Sequence, residues 1–195
     1  MDRNDVPRFE RRRLTHVDRR GRPRMVDVGA KPATARRAVA EAEVAVSPET
    51  MSLVIDGGGA KGDVLTVAEL AGVMGAKRTA ELIPLCHPLA LTDLAVAITP
   101  DRAAGVLRIR AEAATTGPTG VEMEAMTAAA VAALTVYDMV KGVERGVEIR
   151  NLRLTAKSGG NSGEWHRPVE PVDPDRPRPR PGDRIAGRVG KRKPG

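Results

Sequence analysis

Aromatic side chains are almost missing from this 195-residue chain, which has one Phe, one Tyr and one Trp. A core must therefore be assembled mainly from Ala, Val, Leu, Ile and Met. The same shortage counts against a reader of single-stranded nucleic acid, which stacks bases on aromatic rings. The lone cysteine, Cys86, excludes an intrachain disulfide and fits a reducing compartment. No apolar run approaches the roughly 20 residues of a membrane span. Residues 1–13 are charged and lack the apolar stretch of a signal peptide. These absences lead to the expectation of a cytoplasmic protein with one folded domain.

What is plentiful is positive charge, and it is unevenly placed. The net charge of +7 comes from +2 in residues 1–13 and +5 in residues 166–195, which leaves residues 14–165 neutral. The last thirty residues also carry seven of the fifteen prolines, as in the run Arg176-Pro177-Arg178-Pro179-Arg180-Pro181. Such a segment cannot bury enough apolar surface to fold. We expect a disordered basic N-terminus at 1–13, a catalytic domain at 14–165 and a disordered Pro/Arg-rich tail at 166–195. A tail of this kind could touch nucleic acid or an acidic partner, but a solvated tail is the simpler reading.

The middle of the chain alternates between two periodicities. From Arg36 to Val46, Ala38, Ala40, Ala42, Val44 and Val46 fall on one side and Val39, Glu41, Glu43 and Ala45 on the other, the pattern of a half-buried strand. Ser47-Pro48-Glu49 starts a short helix that runs to Ile55. Gly62 to Leu82 has helical spacing and ends near Pro84. Strands follow at Leu91–Thr99 and Gly105–Ala114, with the turn at Pro100-Asp101. A long Ala-rich helix at Gly120–Val143 precedes a last strand at Val147–Lys157. The order β-α-β-β-α-β predicts an α+β, ferredoxin-like sandwich with a short extra helix.

The long helix is apolar nearly all round, so its polar exceptions are informative. Glu124, Thr127, Thr135 and Asp138 fall within about 80° of one another at 100° per residue. A solvent stripe is the usual reading of such a face. This one is thin, hydroxyl-bearing and acidic rather than rich in Lys and Glu, and Lys141 lies just beyond it. Lys61 stands between a glycine run and a helix start, where free backbone N–H groups and the helix dipole suit phosphate. The string GGGAKGD lacks the Gly-Lys-Ser/Thr of a P-loop, which excludes an ordinary nucleotide triphosphatase. Lys157 opens a second glycine-rich loop, Ser158 to Gly163. Cys86 and His87 sit in a proline-bounded segment. Without a second Cys or a nearby His, a zinc site is not expected there.

The strings LTHVD, MVDV, KGDVLTVAELAGVMGAKRTAELIPLCHPL, TGVEMEAMTAAAVAALTVYDMVK and LTAKSGG occur in this order between Leu14 and Gly160. In this the chain resembles the cyclic pyranopterin monophosphate synthase family of molybdenum cofactor biosynthesis, from about Leu14 to Trp165. The resemblance implies a lyase that takes a cyclic dihydroguanosine triphosphate to cyclic pyranopterin monophosphate and pyrophosphate. It implies a ferredoxin-like subunit in a hexamer, a trimer of dimers. No cofactor is expected, because lysines can neutralise phosphate charge without a dedicated metal cage and no carboxylate cluster argues for one. By motif, Asp138, with Lys141 beside it, matches the catalytic acid or base. Leu85, Cys86, His87, Met123 and Glu124 match substrate-binding positions, and Lys61 and Lys157 match lysines of the same pocket. Pro118 in TGPTG and Asn161 in GGNSG depart from the pattern at positions that often carry lysine in the family.

That chemistry suits the residues. Cations must neutralise a departing pyrophosphate, and the opening and reclosing of a purine-derived ring needs paired proton transfers. Asp138 and Lys141 lie one helical turn apart. The rival reading is a non-enzymatic RNA-binding module using the basic tail, which the neutral centre and the aromatic shortage both weaken.

Overall fold

The computed structural model describes residues 21–57 and 62–168. Lys61, the LTHVD string and most of both charged termini, including the Arg-Pro run, lie outside the described residues. The elements are β1 (Thr34–Ala45), α1 (Pro48–Ile55), α2 (Val64–Lys77), α3 (Thr79–Leu82), β2 (Asp93–Asp101), β3 (Val106–Gly117), α4 (Glu122–Val140), β4 (Glu148–Ser158) and β5 (Trp165–His166). The sheet order is β2-β3-β1-β4-β5, and every neighbouring pair is antiparallel. Its first four strands interleave in the ferredoxin-like way, with β1 between β3 and β4. The short β5 extends the sheet beyond the expected pattern: Trp165 pairs with Lys157 and His166 with Ala156, and Arg167 N–H donates to the Thr155 carbonyl at 2.8 Å.

The alternation in β1 has the consequence its sequence suggests. Ala38, Ala40, Ala42 and Val44 are buried against the helical layer. The opposite face carries Arg37, Glu41 and Glu43, which join side chains of β3 and β4 in an ion-paired network. Arg108 reaches Glu43 at 2.5 Å and Asp101 at 3.0 Å, and Glu112 accepts from both Arg37 and Arg110. Exposed pairs of this sort contribute little individually, and burial on the other face supplies the main stabilisation.

Small residues decide how the helices pack. Ala125, Ala128, Ala129, Ala132 and Ala133 of α4 are fully buried. Gly72 and Gly75 of α2 lie directly against α4. A Cβ on Gly72 would stand 2.9 Å from the Ala128 carbonyl oxygen, and one on Gly75 would stand 2.7 Å from Val131 Cγ2. Two glycines thus permit a close backbone approach that larger residues would block. By length and a mean hydropathy of 1.3 alone, α4 resembles a membrane-crossing helix. Here it is the core helix, packed on β1, β3 and β4.

The local signals are met by side-chain caps. Ser47 Oγ accepts from Thr50 N–H at 3.2 Å, with Pro48 in the first turn of α1. Asp63 accepts from Leu65 and Thr66 N–H at the start of α2, and the hydrogen bond from the Thr66 hydroxyl is the main reason its carboxyl is held below the usual range. Element ends shift by up to three residues from the sequence expectation, and two local features depart from it. The single helix expected through Leu82 breaks at Arg78, whose φ of −112° is not helical, and the Thr79 hydroxyl turns back to the Ala76 carbonyl at 2.9 Å. The turn expected at Pro100-Asp101 lies at residues 102–105 instead. Asp101 stays in β2, its carboxylate accepts from Ala104 N–H at 2.9 Å, and Gly105 takes the left-handed φ of 66° that closes the turn.

The α2–α4 contact should tolerate no added atoms. Gly75→Ala is expected to destabilise the fold by about 1–3 kcal/mol, because the branched Val131 cannot move aside, even though alanine improves helix propensity by up to about 1 kcal/mol. Urea denaturation of the two proteins measures the difference. An unchanged midpoint would show that the helices have room to separate.

Candidate active site

Among the described residues, Asp138 and Lys141 lie at the C-terminal end of α4, while Met123, Glu124, Cys86 and Lys157 lie at or near its N-terminal end. At its C-terminal end, Lys141 Nζ donates to Asp138 Oδ1 at 2.5 Å. Both side chains are about half exposed, and the hydrogen bond from Lys141 to Asp138 raises the ammonium above its ordinary pKa. The pair therefore favours charged Lys141 beside a carboxylate, two partners that can pass a proton through one contact once a substrate displaces solvent.

The N-terminal end of α4 has the opposite character. Glu124 is only 4% exposed. Burial pushes its carboxyl above the usual range; its own backbone N–H offsets part of this, and the nearby Glu122 charge adds to it. Cys86 stands within electrostatic reach: burial raises its thiol pKa first, and the Glu124 charge raises it further. The loop after α3 thus brings Cys86, with Leu85 and His87 on either side, towards the start of α4. All three residues are half-buried. Met123, on the same turn as Glu124, is 39% exposed.

Lys157 arrives at this end from β4. Its Nζ donates to Glu122 Oε1 at 3.0 Å and to Ser162 Oγ at 3.1 Å, so it bridges the first turn of α4 and the glycine-rich loop. Glu122 and Ser162 were not anticipated from the sequence. An acidic residue in a helix's first turn is usually explained by the dipole, and only the placement of β4 shows that Glu122 holds a lysine.

The polar stripe on α4 is not one surface. Glu124 and Thr127 are buried, the Thr135 hydroxyl bonds back to the Val131 carbonyl at 2.8 Å, and only Asp138 is exposed. Fourteen positions separate Glu124 from Asp138, roughly 21 Å at 1.5 Å per residue. Two cavities of about 370 and 330 Å³ open on the charged sheet face, one near Arg37, Arg110 and Lys157, the other near Glu43, Arg108 and Arg153. Neither is lined by Asp138, Lys141 or Glu124, and Lys157 alone among the anticipated residues borders one. Among the described residues, no group of three His, Cys, Asp or Glu could hold a metal ion.

The raised carboxyl of Glu124 has a consequence for stability. The folded state retains this proton to higher pH than the unfolded chain does. Its stabilising contribution is therefore present below the ordinary carboxylate pKa and is lost as pH climbs through the raised folded value. Glu124→Gln keeps the shape without the charge. It should melt at a higher temperature than the parent at neutral pH, with the difference closing below about pH 4.3. A lower melting temperature at neutral pH would show that the buried carboxylate is compensated.

Residues 25–160 match the family model described as the MoaC family. A protein of Brucella ovis named cyclic pyranopterin monophosphate synthase is 57% identical over 153 residues, 78% of this chain and 93% of its own length. One of the same name from Chloroflexus aurantiacus is 57% identical over 155 residues, 80% of this chain and 95% of its own. The matched span takes in both ends of α4, the Cys86–His87 loop and Lys157, and on that evidence the chain belongs to the MoaC family.

Proposed function

We propose that this chain is a cyclic pyranopterin monophosphate synthase, a lyase that acts in molybdenum cofactor biosynthesis on a cyclic dihydroguanosine triphosphate and releases pyrophosphate. The observation that carries the reading is the 57% identity with synthases of that name over nearly their whole length. In the reaction a sugar hydroxyl attacks the innermost phosphorus, and the bond to the pyrophosphate breaks. Lys61, Lys141 and Lys157 neutralise the leaving charge. The ring opening and reclosure use the Asp138–Lys141 pair, joined at 2.5 Å, as acid and base. Leu85, Cys86, His87, Met123 and Glu124 hold the purine-derived part. We place the enzyme in the cytoplasm as a hexamer, a trimer of dimers.

A site completed by a second subunit reconciles this chemistry with the roughly 21 Å between the ends of α4. An isologous contact brings one end of a helix near the opposite end of its partner. The outer face of the helical layer supports such a contact: Val67, Leu70 and Met74 follow one side of α2 and, with Leu134 of α4, are exposed, Leu70 at 60% and Leu134 at 59%. Isolated apolar residues on a surface need no explanation, but a row at helical spacing is what an apolar interface uses.

Supplying the cyclic triphosphate and assaying for the pyranopterin product and pyrophosphate tests the activity directly. Asp138→Ala, Lys141→Ala and Lys61→Ala should each lower kcat by about 10²–10⁴-fold. For the two half-exposed residues of the ion pair, the melting temperature should stay within about 2 °C of the parent. An enzyme that keeps most of its turnover without Asp138 refutes the role given to that residue. For the shared site, inactive Glu124→Ala and Asp138→Ala proteins are mixed and allowed to exchange subunits. Activity should return, because a hybrid dimer concentrates both defects in one site and leaves the other whole. Proven exchange without recovery means that each site draws both residues from one chain.

A further inference from the structure

The outer edge of β4 is open over most of its length. β5 pairs with β4 only at Ala156 and Lys157, and among the described residues no strand pairs with the outer side of β4 from Glu148 to Leu154. The pairing is antiparallel, so the chain after His166 runs back along this edge. The hydrogen bond from Arg167 N–H to the Thr155 carbonyl at 2.8 Å continues that course past the end of β5. Open edges of this length are normally covered, because they offer unpaired main-chain groups to any passing strand. Two arginines on the stretch are incompletely satisfied. The Nε–H groups of Arg150 and Arg153 are shielded from water and have no acceptor, a costly state for a donor. Arg153 meets Glu41 only at 3.9 Å, and Arg150 meets its strand neighbour Glu148. Between them Leu152 is 41% exposed.

The sequence after Pro168 fits this edge in stiffness, charge and spacing. Pro168, Pro171, Pro174 and Pro177 recur at every third position, the period of a polyproline helix. Glu170 and Asp173 each precede a proline, which favours extended backbone there. A segment so restricted loses little freedom on docking. The tail is basic as a whole, but its first part is not. Residues 169–175 hold Glu170, Asp173 and Asp175 with no Lys or Arg, a net charge of −3, and every later cation follows them. At about 3.1 Å per residue, Glu170 falls about 12 Å beyond His166 and Asp173 about 22 Å beyond it. Along β4 from Ala156, which faces His166, Arg153 is about 10 Å away and Arg150 about 20 Å. Two acids one proline triplet apart thus meet two arginines three residues apart. We propose that residues 169–175 continue from β5 along the outer edge of β4, with Glu170 on Arg153 and Asp173 on Arg150, and with Val169 and Val172 against Leu152. The segment lies beyond the residues matched by the family model, and the inference is independent of the proposed function.

The test is hydrogen–deuterium exchange of the full chain, read by mass spectrometry on peptides covering residues 148–154, and it needs no substrate. The double variant Glu170→Arg, Asp173→Arg should speed exchange in this stretch by about tenfold, since an uncovered edge opens locally more often. Asp183→Arg changes the charge of the tail outside the contact and should leave exchange as in the parent. Arg153→Glu should speed exchange as the tail variant does, and Glu170→Arg added to it should slow exchange again by restoring the pair with its polarity reversed. Should Arg153→Glu disturb β4 itself, the tail variants decide the question, because they alter no residue of the folded domain. Exchange that is the same in the parent and in the double tail variant would overturn the proposal. So would equal acceleration by Asp183→Arg, which is the effect of net charge alone. Protection that survives the double tail variant and grows with protein concentration would also overturn it, since a second copy of the chain then covers the edge.

Discussion

The approach of α2 to α4, with the small-residue face of β1 beneath α4, is the constraint on which the rest of the molecule depends. A chain with three aromatic residues cannot fill a wide interior. It reaches native packing density by bringing backbones together, and alanine and glycine at Ala128, Ala132, Gly72 and Gly75 make that possible. The arrangement fixes α4 against the sheet along its whole length, and α4 carries a candidate functional group at each end. The geometry of the site is in this sense a product of core packing. A helix held by larger, more adaptable side chains would leave its two ends less firmly placed.

Most of the architecture was legible because two periodicities dominate. Ala38, Ala40 and Ala42 alternate with Val39, Glu41 and Glu43, and only a half-buried strand explains that pattern. The apolar breadth of α4 required burial on several sides. What escaped the pattern was set by single side chains acting at short range. The break after Lys77 depends on where the Thr79 hydroxyl finds a carbonyl, and the hairpin depends on Asp101 capping Ala104 rather than ending its strand. The two-residue β5 is too short for any period to show. The site followed the same division. Glu124 stood out as a polar exception on an apolar helix, whereas Glu122 looks like an ordinary surface charge until β4 is laid beside β1.

The ends of α4 differ chemically as well as in position. One offers a buried carboxyl with a half-buried thiol nearby, the other a lysine–carboxylate pair in contact with water. Low dielectric surroundings suit recognition of a ring by shape and hydrogen bonding, while a solvent-facing ion pair can exchange protons readily. The charged network on the far side of the sheet keeps the opposite face of β1 water-compatible without demanding further apolar residues. At the edge of that sheet, the carboxylate of Glu69 accepts from Ile98 N–H at 2.8 Å, which satisfies one donor that β2 would otherwise expose.

The placement of Cys86 also sets the redox temperament of the molecule. Attack on peroxides, disulfides and alkylating agents requires a thiolate, and both causes that act on Cys86, burial and the neighbouring Glu124 charge, disfavour that form. The only sulfhydryl in the chain is therefore held towards its protonated form, by burial first and by the Glu124 charge second. Both causes act against the thiolate through which one copy could be cross-linked oxidatively to another.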